Sequence, residues 1–202
     1  MSKDSRVPMI EYRELLLGCG HRRDKYLGLP GSRLEWTALT TLDNNPACEP
    51  DILCDLDKRI WVDRYKQPIA LGLWDNQYDE VHAYDVLEHL GRQGDVASFF
   101  DTFWNIYGLL KPNGYFFGVT PSRYASSLWG DPGHRRVIIQ DSLLFLDRDV
   151  YRKQLKSSPM SDYRDNWCGD FRIISTNDDH VRHTFCLQAI KPVRSWDIAV
   201  SK

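Results

Sequence analysis

No apolar run in this chain approaches the roughly 20 residues that a membrane-spanning helix needs, so an integral helical membrane protein is excluded. Cys-x-x-Cys pairs are missing too. The five cysteines, Cys19, Cys48, Cys54, Cys168 and Cys186, are odd in number and scattered, which argues against a disulfide framework and against structural zinc; no metal is expected. The opening MSKDSRVPMIEY lacks the apolar stretch of a signal peptide, and with reduced cysteines this gives the expectation of a cytoplasmic protein. There is no excess of one charge either. With 26 basic and 28 acidic residues the formal net charge is -2, so no global field draws the protein to nucleic acid or to an anionic membrane, and any basic patch has to be local. Internal repeats and low-complexity segments are absent, and 202 residues, 42% of them hydrophobic, fit one domain spanning 1–202.

What is present is an alternation of strands and helices. Glu14 to Leu17 is a short apolar run closed by Gly18, and Trp36 to Leu42 is rich in strand-favouring residues and ends at Asp43. Ile52 to Cys54 and Glu80 to Tyr84 read as a third and a fourth strand, and VLEHL after the fourth reads as the start of a helix. Between Asp95 and Leu110 the residues Val96, Phe99, Phe100, Phe103, Trp104, Tyr107 and Leu110 recur at helical spacing, and Lys111-Pro112-Asn113-Gly114 ends that helix. Tyr115 to Val119 is a fifth strand. From residue 121 to 170 the chain is polar, aromatic and turn-rich, with short helices expected at Asp141 to Leu146 and Asp149 to Leu155; it is expected to cover the substrate side of the sheet. Phe171 to Ser175 and Val181 to Ile190 form a hairpin around Asn177-Asp178-Asp179. The stretch from Lys58 to Tyr78, with Trp61 and Trp74, reads as an insertion of undetermined structure. Strands alternating with helices imply a parallel α/β sheet.

In such a sheet ligands sit beyond the C-terminal strand ends, and a glycine-rich first turn lets ligand atoms approach the backbone. Gly18 and Gly20 stand in that turn, and Asp43, at the end of the second strand, is placed to accept hydrogen bonds from both hydroxyls of a ribose. Dinucleotide sites add a third glycine, where the chain has Arg23. A nicotinamide dinucleotide is therefore disfavoured, and S-adenosylmethionine, which has a ribose but no pyrophosphate, becomes the candidate.

LLLGCG, Asp43-Asn44, DILCDL, DEVHAYDVLEHL and LLKPNGYFF occur in order and together resemble the small class I S-adenosylmethionine-dependent methyltransferases, type 11-like, over Leu15 to about Pro121. The resemblance implies an α/β, Rossmann-like, seven-stranded, mostly parallel sheet in the order 3-2-1-4-5-7-6, with helices on both faces and a C-terminal antiparallel hairpin. It also implies that Gly18, Cys19 and Gly20 line the methionine end of the cofactor, with His21 beside them. Asp43 would hold the ribose, with Asn44 next to it, and Asp55 and Leu56 would meet the adenine, while Tyr84 and Asp85 face the sulfonium and the acceptor. The chain departs from the pattern where His21 to Leu34 is basic and turn-rich instead of helical.

Methyl transfer requires alignment of acceptor and sulfonium and sometimes a general base. His89 reads either as a residue reaching the acceptor or as one that fixes the helix start; His134, in DPGHRR, reads as a base or as an anion-binding neighbour of Arg135 and Arg136. His180 and His183 bracket the hairpin and read as structural. After the fourth strand there is neither an Asp/Asn-Pro-Pro-aromatic turn nor a Pro-Cys nucleophile, which argues against base methylation of either kind. Arg22, Arg23, Arg135 and Arg136 are candidates for a phosphate-binding rim, and Tyr124, Trp129 and Trp167 either stack on a ligand or belong to the core. The expected function is methyl transfer to a small-molecule or saccharide-type acceptor. A nucleic-acid-directed methyltransferase and a non-catalytic S-adenosylmethionine-binding protein are the alternatives.

Overall fold

The computed structural model describes residues 12–58 and 75–196. The strands are β1 (Glu14–Leu17), β2 (Leu39–Asp43), β3 (Ile52–Leu53), β4 (Tyr78–Tyr84), β5 (Leu110–Pro121), β6 (Phe171–Asp178) and β7 (Arg182–Ala189). The helices are α1 (Val96–Leu109), α2 (Ser126–Gly130), α3 (Gln140–Leu143) and α4 (Arg148–Ser157). The strands form one seven-stranded sheet in the expected order β3-β2-β1-β4-β5-β7-β6. β1 to β5 run parallel, and β7 is antiparallel to both β5 and β6.

The central strands are buried on both faces, as parallel strands usually are. All four residues of β1 are buried, Leu15 and Leu17 on one face and Glu14 and Leu16 on the other. The first face meets α1, whose Phe100, Phe103, Ile106 and Leu109 join Leu15, Leu17, Val81, Ala83 and Phe116 in the main core. Asp95 caps this helix by accepting the Ser98 N–H at 3.0 Å. Trp167 is buried in the same core and donates its indole N–H to the Leu146 carbonyl at 3.0 Å, so of the three aromatic candidates it is a core residue. Tyr124 and Trp129 are exposed.

Among the boundaries that differ from the sequence reading, three change the connections between elements. VLEHL starts no long helix: Leu87–His89 is a single 3-10 turn, and Gly91 and Gly94, both at positive φ, separate it from α1. β5 begins at Leu110, before the Lys-Pro-Asn-Gly signal. Leu110 pairs with Tyr78 and Tyr115 with Glu80, so residues 111–114 bulge out of the ladder instead of preceding it. The hairpin turn lies one or two residues later than expected, because Asp178 still pairs with His183. The expected insertion falls largely on residues 59–74, outside the described residues.

The β1–β2 connection, residues 18–38, contains no helix. It crosses the second face of the sheet as an extended strip and buries Lys25 there. Lys25 bonds Glu14 of β1 and, at 2.7 Å, Glu80 of β4. Glu80 also accepts from the Tyr12 hydroxyl at 2.8 Å and lies 2.9 Å from His82 Nε2, while His82 Nδ1 lies 2.6 Å from the Tyr84 hydroxyl. Burial lowers the pKa of His82, so its neutral ring donates Nε2–H to Glu80 and accepts the Tyr84 O–H. Phe117 stacks on that imidazole and Trp36 meets its edge, each at 4.9 Å between centroids.

Candidate active site

β1 ends at Gly18, whose φ of 59° suits glycine, and a Cβ there would come within 2.5 Å of Val86. Gly20 follows at φ 51°, with open space where its side chain would be. This turn is held by Asp43. One carboxylate oxygen accepts the Gly20 N–H at 2.9 Å and the other the Asn45 N–H at 2.8 Å. The acid at the end of β2 therefore supports the glycine turn across the strand gap, a role that its spacing alone did not reveal. Each oxygen keeps a further lone pair for a ligand hydroxyl.

A cavity of about 470 Å³ opens beyond the C-terminal ends of β1, β2 and β3. Gly18, Asp43, Asn44, Asp55, Leu56 and His89, all named from the sequence, line it together. Cys19 is buried behind the turn, while His21 lies outside the lining with its Nε2 3.8 Å from Cys48 Sγ. Tyr84 is also outside the lining, since its hydroxyl is engaged by His82 beneath the strip; Asp85 is exposed beyond it at φ 53°, 3.9 Å from Arg182.

Cys54, Asp57, Val86 and Leu90, which sequence reasoning missed, complete the wall together with Arg135, expected only as part of a basic rim. Asp57 joins β3 to the segment after β4 by accepting the Gly91 N–H at 2.7 Å and an Arg135 N–H at 3.0 Å. Burial opposes ionisation of Asp57, yet these two donors outweigh it and lower its pKa. Its signal was the second acid in DLD, two residues after Asp55.

The two candidate histidines come together. The Glu88 carbonyl accepts the N–H groups of Arg135 at 2.8 Å and Arg136 at 3.1 Å, which fastens the loop after α2 to the turn after β4. His89 and His134 consequently meet edge to face, 4.7 Å between ring centroids. His89 Nδ1 lies 3.1 Å from the Gly133 carbonyl and His134 Nδ1 3.3 Å from the Leu128 carbonyl. Near them is the carboxyl of Glu88, fully buried, with neither oxygen hydrogen-bonded among the described residues. Burial pushes it up to about 8, and the nearby Asp85 and Asp131 add to the rise.

Most of the expected basic rim is occupied internally. Arg136 is buried, with its guanidinium 5.3 Å from the centre of the Phe99 ring and bonded to the carbonyls of Arg92 and Asp95. Arg135 bonds Asp57 and the His89 carbonyl, and Arg23 bonds the carbonyls of Cys48 and Glu49. His183 is buried against the Ile138 carbonyl, away from the cavity lining.

No protein-family model matches the chain, and no curated protein matches its sequence. Solved structures do resemble it. One is an S-adenosylmethionine-dependent methyltransferase from Archaeoglobus fulgidus, with TM-score 0.51 and 14% identity over 88% of this chain and 86% of that one. Another is a Haloferax volcanii complex between the Trm112 methyltransferase activator and a candidate methyltransferase, with TM-score 0.50 and 12% identity over 89% of this chain and 83% of that one. At such identities the likeness is one of fold, and the fold is that of the S-adenosylmethionine-dependent methyltransferases, Rossmann-like with the antiparallel β7.

Proposed function

We propose that the protein is a class I methyltransferase that uses S-adenosylmethionine. The observation that carries the reading is the placement of Gly18, Asp43, Asp55 and Leu56 around one cavity at the carboxyl ends of β1 to β3, in a sheet of the methyltransferase order. These residues suit the cofactor. The open space over Gly20 admits an amino-acid tail, Asp43 has lone pairs for two ribose hydroxyls, and Leu56 and Leu90 offer apolar surface to a purine. Asn44 flanks the ribose position, and Cys19 and His21 shape the turn from behind and from the outer side. When bound, the cofactor supplies a methyl group already activated on a sulfonium sulfur, so the chain's tasks are to orient the acceptor and to accept a proton from it where one is lost.

His89 stands at the cavity wall and His134 against it, which gives both a place on the acceptor side, with Asp85 at the exposed end of β4. The acceptor class we favour is a small molecule or saccharide. The internal bonding of Arg23, Arg135 and Arg136 removes most of the surface on which a nucleic-acid-directed reading depends. Calorimetry with S-adenosylmethionine, S-adenosylhomocysteine and NAD tests the proposal. Binding of the first two and not the third is expected; binding of NAD, or of none, would overturn it.

A further inference from the structure

We infer that Glu88, His89 and His134 form a binding site for one divalent first-row transition-metal cation at the wall of the cofactor cavity. One donor atom from each of the three residues lies within 4.8 Å of the other two. Glu88 Oε1 is 3.9 Å from His134 Nε2, too long for a hydrogen bond and within the roughly 4.2 Å that two ligand atoms, each about 2.1 Å from one ion, can span.

Three independent features favour a cation over a mere polar contact. The first is Glu88 itself: its side chain is 1% exposed, and both carboxylate oxygens lack hydrogen-bond partners among the described residues. Buried polar atoms are nearly always paired, so an acid with two vacant oxygens in an ordered turn is an acceptor pair awaiting a positive ligand. The second is the tautomer of each histidine. A carbonyl only accepts, so Nδ1 carries the proton where it meets the carbonyls of Gly133 and Leu128. In the neutral form of each ring Nε2 then keeps its lone pair, and such second contacts orient metal-ligating histidines generally. The third is the charge of the surroundings. Asp131 Oδ2 lies 3.8 Å from His134 Nε2, adding a second carboxylate, while the nearby guanidinium of Arg135 is paired with Asp57.

Two imidazole nitrogens and one carboxylate oxygen select manganese, iron, cobalt or zinc over magnesium, which prefers an all-oxygen shell. Three protein donors leave at least one coordination position for another ligand. Because His89 also lines the cofactor cavity, that position suits an oxygen of the methyl acceptor; this last step rests on the methyltransferase reading, whereas binding of the cation does not. The sequence reading expected no metal because it looked for cysteine spacings, and Glu88-His89 and His134 are 45 residues apart in the chain.

The test is binding to the full-length chain after chelator treatment, without cofactor. Mn²⁺ and Co²⁺ are titrated by calorimetry, with Mg²⁺ as comparison, and Co²⁺ is also followed by its visible absorption. One Mn²⁺ or Co²⁺ per chain is expected, with Mg²⁺ at least about tenfold weaker. Glu88→Gln and His134→Ala should each weaken Mn²⁺ binding by at least about 10–100-fold, while Cys168→Ser, at the exposed thiol, should leave it unchanged. Circular dichroism and thermal melting of the metal-free variants identify any that fail to fold, and Glu88→Gln, which breaks no hydrogen bond, then carries the test alone. Absence of one-to-one binding, or binding indifferent to Glu88→Gln, would overturn the site. S-adenosylhomocysteine affinity, measured separately, reports on the methyltransferase reading, so either can fail without the other.

Discussion

Two clusters of carboxylate and histidine stand on this sheet, one wholly buried and one buried only at its carboxylate, and their hydrogen bonding is opposite. Glu14, Glu80 and His82 lie under the 18–38 strip, while Glu88, His89 and His134 lie at the cavity. Both gather their donor atoms closely enough for an ion. In the first, Lys25 already supplies the positive charge, Tyr12 and the Thr37 N–H fill further acceptor positions, and His82 is engaged at both nitrogens. In the second the carboxylate accepts no hydrogen bond among the described residues, and each histidine has one nitrogen engaged by a carbonyl. Saturation marks a cluster that holds the fold together; vacancy marks one kept for a ligand. Asp43 is intermediate, with one backbone donor on each oxygen.

The contrast is broken most sharply at Lys25. Lys25→Met leaves Glu14 and Glu80 buried without their cation, and removing one partner of a buried ion pair costs about 3–5 kcal/mol. The urea midpoint should fall steeply; a midpoint within experimental error of the parent would make the cluster dispensable.

Acid should act on the same cluster. Burial alone would raise the pKa of Glu80, but hydrogen bonds from His82, Lys25 and Tyr12 outweigh it and pull the carboxyl from 4.5 down to about 2. The unfolded chain therefore takes up this proton first as pH falls. Glu80's contribution is complete above about pH 4.5 and is lost as pH drops toward 2. Urea midpoints measured from pH 6 to 3 should fall less for Glu80→Gln than for the parent, although the variant starts lower.

At Asp43 the expected effect is divided between fold and ligand. Asp43→Ala deletes charge-assisted bonds worth about 1.5–3 kcal/mol each, so it should lower the melting temperature and weaken S-adenosylmethionine about 10–150-fold. Calorimetry that finds unchanged affinity removes Asp43 from the ribose position. The smallest effect belongs to the Glu88 cluster: Glu88→Gln breaks no hydrogen bond among the described residues, and the metal-free protein should change by less than about 1 kcal/mol. A larger loss in urea titration would show that Glu88 has structural partners after all.

The parts of this molecule that were legible in the sequence are those encoded locally. The parallel sheet followed from alternation, Gly18 and Asp43 from the strand ends that the apolar runs reveal, and the strand order, Asn44, Asp55 and Leu56 from the family resemblance, whose order the terminal hairpin suits. What escaped depends on partners distant in the chain. Lys25 lies in the basic, turn-rich stretch from His21 to Leu34 with nothing local to mark it as buried, since lysine is rarely buried without a partner and its partner Glu80 lies 55 positions away. The hint was Glu14, an acid at the head of a fully buried strand. Glu88, within VLEHL, shows no role in the sequence, because an acid beside a histidine at a helix start reads as polar surface until the loop of His134 closes over it. Arg136 was misread for the same reason, its burial being decided by Phe99 and by carbonyls of the segment before α1. The β5 start was missed because Pro112 and Gly114 signal a break, and a bulge satisfies that signal without ending the strand.

A helix carries its stiffness in its own hydrogen bonds, whereas the strip from 18 to 38 borrows its stiffness from attachments. The glycine turn is tied to Asp43, Arg23 to the carbonyls of Cys48 and Glu49, Lys25 to β1 and β4, and the Thr37 N–H to Glu14 at 2.6 Å. Only four residues lie between the anchor at Gly20 and the anchor at Lys25, five Cα steps that make a tether of at most about 18 Å when fully drawn out. The floor of the cavity and the cover of the opposite sheet face are thus one mechanical element, and slack introduced at either anchor is shared by the other.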